Sequence, residues 1–556
     1  MLLNGVVRFS TQLKCYFVLI LWIFLLIGGM YKYVGNLNNN IIGENGYLQA
    51  TNEENEDLFR FKQFKDRCGS EDVLLTRKDD GGTLEGWKLQ GVLLVIRHGD
   101  RGPMSHVQGI SSIDCGVDSS NILLKKYKNF LSNSTNPTGS NHMFWNKLGP
   151  FHGFPLLPPT QRSCLLGQLT YKGIAQLLQV GDLLNQVYAR SLGVFNKYSS
   201  VSRSYTDSTL NSDEIVIFTT RYRRTFQSAM ALLYPFLPID KWLALNIQES
   251  HSMAFCFSDC ACPQADYLRK KLNTQINMKL SQYPAISAVT QWIGSTVLQN
   301  PSNGLNGPNE VVDAILTILC HDAPLPCRTY SRNSSRDDYT TKVFVDSNDI
   351  INIDQDELQT APMEDILASP TSESDLDTMQ EGCVEANHIN ALMSYTIGES
   401  AREATLPEYK RIGLLKAYGM IRHIVSYMLR MISGDRTKFV LYSGHDWTMQ
   451  YLTAALGIER KHTYVPYATT LGFEVYKSEA NTDYYFRVIL SGNDVTQSLG
   501  FCEGSKSLIV NRDSRGSKAA LCPIENIIRF LHEDYFTALN VTNFKDACLM
   551  SSANQV

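Results

Sequence analysis

The chain has 556 residues, 44% of them apolar, and a formal net charge of −4. The apolar content is ample for a large core. With so little net charge there is no basic field over the molecule, which argues against nucleic acid as a partner.

Residues 15–31 are a nearly unbroken apolar run of about seventeen residues, near the lower limit for crossing a bilayer. Arg8 and Lys14 precede it, and Tyr16, Trp22, Tyr31 and Tyr33 fall mostly where interfacial aromatic belts sit. No small-x-small cleavage pattern follows Met30, so the segment reads as an uncleaved signal-anchor rather than a cleaved signal peptide. Residues 1–14 are then a cytoplasmic tail, and residues 32–67 a polar luminal stem. The 13 cysteines agree: setting aside Cys15 leaves an even number, scattered as disulfides in an oxidising compartment would be.

Further along, residues 92–96 read as a buried strand, and Arg97-His98-Gly99-Asp100-Arg101-Gly102-Pro103 follows directly. Asn133-Ser134-Thr135 is a glycosylation acceptor, as are Asn333-Ser334-Ser335 and Asn540-Val541-Thr542. Thr170 reads as a helix cap, with Ile174, Leu177, Leu178, Leu184, Val187 and Tyr188 recurring at helical spacing. Residues 215–219 form a second strand. Arg221, Arg223 and Arg224 follow it, then a helical pattern through Ser228, Ala229, Leu232 and Leu233.

Residues from about 246 to 404 have weak strand signals and polar helix-like runs, and are read as a mostly helical cap subdomain inserted into the core. Within it, residues 337–381 are acidic and aromatic-poor, the composition of a mobile loop. Cys256, Cys260 and Cys262 lack the paired short spacing of zinc modules and are expected in disulfides. Cys320 with Cys327, and Cys502 with Cys522, are candidate local bridges. Residues 413–431 read as an amphipathic helix feeding a third strand, 439–442, which leads into Ser443-Gly444-His445-Asp446 and another helix. Residues 471–476 and 485–490 alternate as a hairpin.

Three strand, charged-turn, helix units thus place Arg and His at strand carboxyl ends, the edge where open α/β sheets bind ligands. Two guanidiniums flanking one histidine repel unless an anion lies between them. Phosphate suits the planar donor fork of Arg, and a neutral imidazole nitrogen in that setting can attack phosphorus.

These motifs resemble those of the histidine acid phosphatases, branch two of the histidine phosphatase superfamily. R-H-G-x-R-x-P matches Arg97 to Pro103, the distal His-Asp pair matches His445-Asp446, and Arg-Thr followed by Ser-Ala matches Arg224-Thr225 and Ser228-Ala229. Leu169, Thr170, Gly173 and Gln176 match Leu-Thr-x-x-Gly-x-x-Gln. The resemblance covers residues 68–548. It implies an α/β fold with a central mixed sheet and helices on both faces, phosphoglycerate-mutase-like, carrying the inserted cap behind an N-terminal transmembrane helix. It implies phosphomonoester hydrolysis with His98 as nucleophile, passing through a phosphohistidine. Arg97, Arg101, Arg224 and His445 would bind the phosphoryl group and Asp446 would donate the proton, with no metal or cofactor. Within the family, Ile113-Asp114-Cys115, the run from Ala231 to Pro238 and Cys522-Pro523 are similar to a membrane-anchored Golgi member. That likeness implies a type II protein with a luminal catalytic domain. It also implies a phosphorylated proteoglycan linkage-region glycan as substrate and glycosaminoglycan-assembly glycosyltransferases as neighbours. A broad acid phosphatase of lysosome or cell surface, and a silent membrane-tethered scaffold, are the alternatives.

Overall fold

A computed structural model of the chain describes residues 66–69, 84–110, 113–116, 121–134, 149–159, 164–193, 212–257, 260–299, 307–328, 382–460, 463–512 and 518–549. The expected tail, the signal-anchor, all but the last residues of the stem, Asn333 and the acidic loop 337–381 lie outside these residues. Among the described residues no helix is long and apolar enough to cross a membrane.

Eight strands form the body of one sheet: β1 (Trp87–Arg97), β2 (Ile215–Thr220), β3 (Ile247–Ser250), β4 (Phe439–Gly444), β5 (Thr470–Ser478), β6 (Tyr484–Leu490), β7 (Leu508–Asn511) and β8 (Lys518–Pro523). Their spatial order is β7-β8-β6-β5-β1-β4-β2-β3, and the short Asn493–Asp494 strand adds to β6. β1 and β4, β4 and β2, and β2 and β3 pair parallel. The remaining pairs are antiparallel, so the sheet is mixed.

Alternation along the strands divides the core, because successive side chains leave a strand on opposite faces. Leu93 and Val95 of β1 pack with α8 (Pro407–Ile432) and α9 (Asp446–Leu456). Val92, Leu94 and Ile96 pack with α2 (Tyr171–Leu192) and α3 (Arg223–Phe236), beside α1 (Ile122–Ser134). Helices therefore cover both faces, and the central strands can be apolar without a break. A third cluster joins α5 (Pro284–Val297), α6 (Pro308–Cys320) and α7 (Ala386–Thr405). α4 (Pro263–Leu280) packs with α8 in the first cluster.

Two readings need correction. Within the stretch taken for the insertion, residues 247–250 are β3, paired in register with β2. A four-residue strand, Ile-Gln-Glu-Ser, has too little apolar pattern to announce itself. Cys320 pairs with Cys68, and Cys327 with Cys383, rather than with each other. Proximity in sequence misled because Cys320 ends a helix that the fold lays against the segment just after the stem. Cys502–Cys522 is present as expected, and Cys256–Cys260, Cys262–Cys548 and Cys115–Cys164 complete six bridges.

One buried ion pair ties the antiparallel half together. Glu474 on β5 faces Arg487 on β6 in direct register, with neither side chain exposed. Arg487 donates to Glu474, as do the hydroxyls of Tyr188 and Tyr476. Removing one partner strands a charge in a dry site. Glu474→Gln is therefore expected to lower stability by about 3–5 kcal/mol. The double variant Glu474→Leu/Arg487→Met should cost well under the sum of the single changes, as read from denaturant melts.

Candidate active site

The three parallel strands β1, β4 and β2 end together. Arg97 lies opposite Gly444 in register, and the His98 amide donates to the Gly444 carbonyl at 3.0 Å. Register alone therefore sets His98 beside His445, with ring centroids 5.6 Å apart. Thr220, the last residue of β2, reaches His445 Nε2 through its hydroxyl at 2.9 Å. Arg224 enters from the first turn of α3, and its Nη2 is 3.4 Å from His445 Nδ1. A guanidinium only donates, so Nδ1 accepts and the His445 proton sits on Nε2, directed at Thr220.

His98 has the opposite tautomer. Its Nδ1 lies 2.8 Å from the Gly99 carbonyl, which only accepts, so Nδ1 carries the proton and Nε2 keeps its lone pair. Arg97 donates Nη1 to the Val465 carbonyl, reaches Asp446 Oδ2 with Nη2 at 3.4 Å, and lies 4.2 Å over the Tyr467 ring. Asp446 opens α9, and its Oδ1 accepts from the Trp447 amide at 2.8 Å. His98, Arg97, Arg101, Arg224, His445 and Asp446 are thus gathered at one sheet edge, as their motifs required. Arg221 and Arg223 stand apart: Arg221 is largely exposed beside Glu249 and Arg223 is half-buried.

The remaining motif residues hold the loop. A Cβ on Gly99 would lie 2.4 Å from the Gly173 carbonyl oxygen, and one on Gly173 2.2 Å from the Asp100 carbonyl oxygen. Neither glycine can be replaced without parting the loop from α2. Ser228 Oγ accepts from the Gly99 amide and Gln176 Oε1 from the Asp100 amide. Thr170 Oγ1 meets Asp100 Oδ2 at 2.6 Å, and His321 Nε2 meets the same oxygen at 2.8 Å. Burial opposes the charge of Asp100, but His321 and Thr170 outweigh it and hold the carboxyl below its ordinary range.

Two residues escaped the sequence reading. Asp313 of α6 takes Arg101 in a fork, Oδ1 to Nη2 at 2.8 Å and Oδ2 to Nη1 at 3.2 Å. A lone carboxylate in the apolar run Val311-Val312-Asp313-Ala314-Ile315-Leu316 was the available signal. His321, just past the end of α6, had none. The contact matters because burial works against the charge of Arg101 and Asp313 overrides it, so the guanidinium is held above its ordinary value. Of the glycosylation acceptors, Asn133 and Asn540 are exposed.

A family model described as the histidine phosphatase superfamily (branch 2) matches residues 88–302 and 360–491. Among curated proteins, 2-phosphoxylose phosphatase 1 of Xenopus tropicalis is 26% identical over 482 residues, spanning 85% of this chain and 79% of that protein. The protein of the same name from Homo sapiens is also 26% identical, over 85% of this chain and 83% of its own. Among solved structures, the phytase from D. castellii aligns over 86% of this chain and 87% of its own, at 11% identity and a TM-score of 0.41. The family match covers more than half of the chain, which therefore belongs to branch 2 of the histidine phosphatase superfamily and is a phosphatase.

His98 and His445 share one electrostatic condition. Burial first, then Arg224, Arg97 and Arg101, disfavour a charged ring, and both are driven well below the ordinary imidazole value. Both rings should stay neutral at pH 5.5, where an ordinary histidine is about nine-tenths charged. Ring-nitrogen NMR of labelled protein checks this; an ordinary titration near 6.5 at either ring would contradict the geometry. The folded values lie below the unfolded one. The stability tied to the neutral rings is therefore complete above about pH 6.5 and is lost as pH falls through the folded values.

Proposed function

We propose that the site cleaves phosphate monoesters through a phosphohistidine on His98. The observation that carries this is the His98 tautomer, with Nδ1 engaged by Gly99, Nε2 free of its proton, and guanidiniums around it. Nε2 attacks phosphorus as the bond to the leaving oxygen breaks. Arg97, Arg101 and Arg224 bear on the phosphoryl oxygens, a role in which one lost donor typically costs on the order of 3–4 kcal/mol, and His445 holds Arg224 in place through Nδ1. Asp446 gives its proton to the departing alkoxide. It then takes a proton from water as that water attacks phosphorus, breaking the P–N bond and releasing inorganic phosphate. The donors that elsewhere would include a metal are here arginines, so no cofactor enters the reaction.

The substrate is the 2-phosphate of a xylose in the proteoglycan linkage region, a reading supported by the name of the curated relatives at 26% identity. We read the chain as a type II protein of the Golgi membrane, anchored by residues 15–31 with its catalytic domain luminal and close to glycosaminoglycan-assembly glycosyltransferases. Six disulfides suit that oxidising compartment, and exposed Asn133 and Asn540 suit glycosylation there.

The test is a panel on the full chain: a synthetic linkage oligosaccharide with and without xylose 2-phosphate, and an aryl phosphate. The phosphorylated oligosaccharide should be the better substrate by kcat/KM. Equal rates would favour a broad acid phosphatase, and no turnover a silent scaffold. His98→Ala should lower turnover on the order of a thousandfold or more and leave no acid-labile phosphoenzyme in rapid quench. Trapped phosphate in that variant would remove His98 as the nucleophile.

Asp446→Asn separates the acid from the nucleophile. An activated phenolate needs little proton donation and a sugar alkoxide needs much, so the variant should slow sugar phosphates far more than aryl phosphates. Equal losses on both would reject Asp446 as the acid.

A further inference from the structure

We propose that Asp313 is a positioning residue that sets how tightly the site holds phosphate. The inference rests on reading the surroundings of His98 as the phosphoryl site. It concerns a residue outside every catalytic motif, on a helix that sequence places in the insertion.

α6 touches the catalytic loop along its length. Ser105 donates to Glu310 at its start at 2.7 Å, and Asp313 accepts from the Met104 amide at 2.9 Å. His321, just past its end, holds Asp100. The Arg101–Asp313 pair lies between these two anchors, almost buried on the arginine side. A carboxylate here is costly unless paired, and its oxygens are committed to Arg101 and Met104. Burial opposes the charge of Asp313, but Arg101 and the Met104 amide outweigh it and keep the carboxyl ionised.

The consequence follows from counting donors. A guanidinium has five N–H groups. Two of those on Arg101 go to Asp313 and one to the Gly102 carbonyl, which leaves two for a phosphoryl oxygen. Arg101 thus meets phosphate with one edge, its other edge already spent on an anion. Around His98 the three guanidiniums are set against the ionised Asp313 carboxylate and the Asp446 side chain, with both imidazoles neutral. Without the charge of Asp313, the site would present one more net positive charge to a dianion. Phosphate would bind more tightly, and so would the product. A carboxylate that shares Arg101 with the ligand keeps the ground state from becoming a trap, and trapping lowers kcat while it lowers KM.

A scaffold-only role predicts the opposite sign. If Asp313 merely held Arg101 in place, its loss would let the guanidinium drift and phosphate would bind less well.

The experiment uses the full chain with p-nitrophenyl phosphate as substrate and inorganic phosphate as inhibitor. Asp313→Asn keeps the shape and an acceptor for Met104. It should lower the inhibition constant of phosphate by about tenfold, the scale of one partly screened charge. KM and kcat should both fall. Asp313→Glu, which keeps the charge, should stay close to the parent in its phosphate inhibition constant. An inhibition constant that rises or does not move in Asp313→Asn overturns the proposal. A crystal structure of the unaltered protein with phosphate needs no variant to fold. Phosphate on Arg101 while Asp313 retains the other edge supports the proposal, and phosphate bound out of reach of Arg101 overturns it. Turnover by the unaltered chain that is lost in His98→Ala separately checks the phosphoryl-site reading, which can fail on its own.

Discussion

The structure is organised around the repulsion of like charges that cannot escape to water. Arg97, Arg101 and Arg224 all converge on His98 from buried positions. A lone ion buried this way costs several kcal/mol even after relaxation. Each guanidinium is held by a different device. Arg97 has Asp446, the Val465 carbonyl and the faces of Tyr467 and Tyr464. Arg101 has Asp313 and its neighbouring carbonyl. Arg224 leans on the Tyr222 ring and on His445. Burial first, and then the residual positive field, drives the two histidines neutral. One arrangement therefore gathers positive charge at the sheet edge and keeps the His98 ring neutral.

Such a cluster requires a rigid frame, and the parallel half of the sheet supplies it. Backbone register sets Arg97 opposite Gly444 and Thr219 opposite Ser443, so the side chains that follow them have little freedom to separate. The loop that continues from β1 is pressed onto α2 through the Gly99–Gly173 contact, closer than any side chain permits. On its other side, Thr469 accepts from the Arg97 amide and the Ala468 amide donates to the His98 carbonyl. Ala468 does so in the left-handed region, with φ of 57°, a strained conformation for a residue with a Cβ. That strain, local to the site, is the cost of closing the loop around Arg97.

What was legible in the sequence was what the backbone enforces locally. β1, β2 and β4 show as apolar runs because both of their faces are covered, and a charged residue straight after such a run must lie at the sheet edge. That logic found His98, Arg97, Arg224, His445 and Asp446 without knowledge of the fold. It extends to Thr170, Gly173 and Gln176 only as a pattern, since their purpose depends on α2 meeting the loop. Asp313 and His321 arrive from more than two hundred residues along the chain, and no local rule pairs them with Arg101 and Asp100. The same holds for Cys68–Cys320, 252 positions apart, whereas Cys502–Cys522, 20 apart, could be proposed from spacing.

These long-range contacts are of one kind. Cys320 closes α6 and is bonded to Cys68; Gln176, which holds the Asp100 amide, also donates to the carbonyls of Cys68 and Gly69. Arg67, one residue earlier, stacks on Tyr464, and Tyr464 in turn faces Arg97. The segment around Cys68 and α6 are thus fastened to each other and to the loop that follows β1. On the reading proposed above, a histidine and three arginines on a sheet edge would recognise a phosphoryl group and nothing beyond it. Whatever discriminates among its esters has to be carried by elements added to that edge. Among the described residues, α6 reaches Arg101 through Asp313, and His321 just past its end reaches Asp100, so changes along this helix can reach the site without passing through the core.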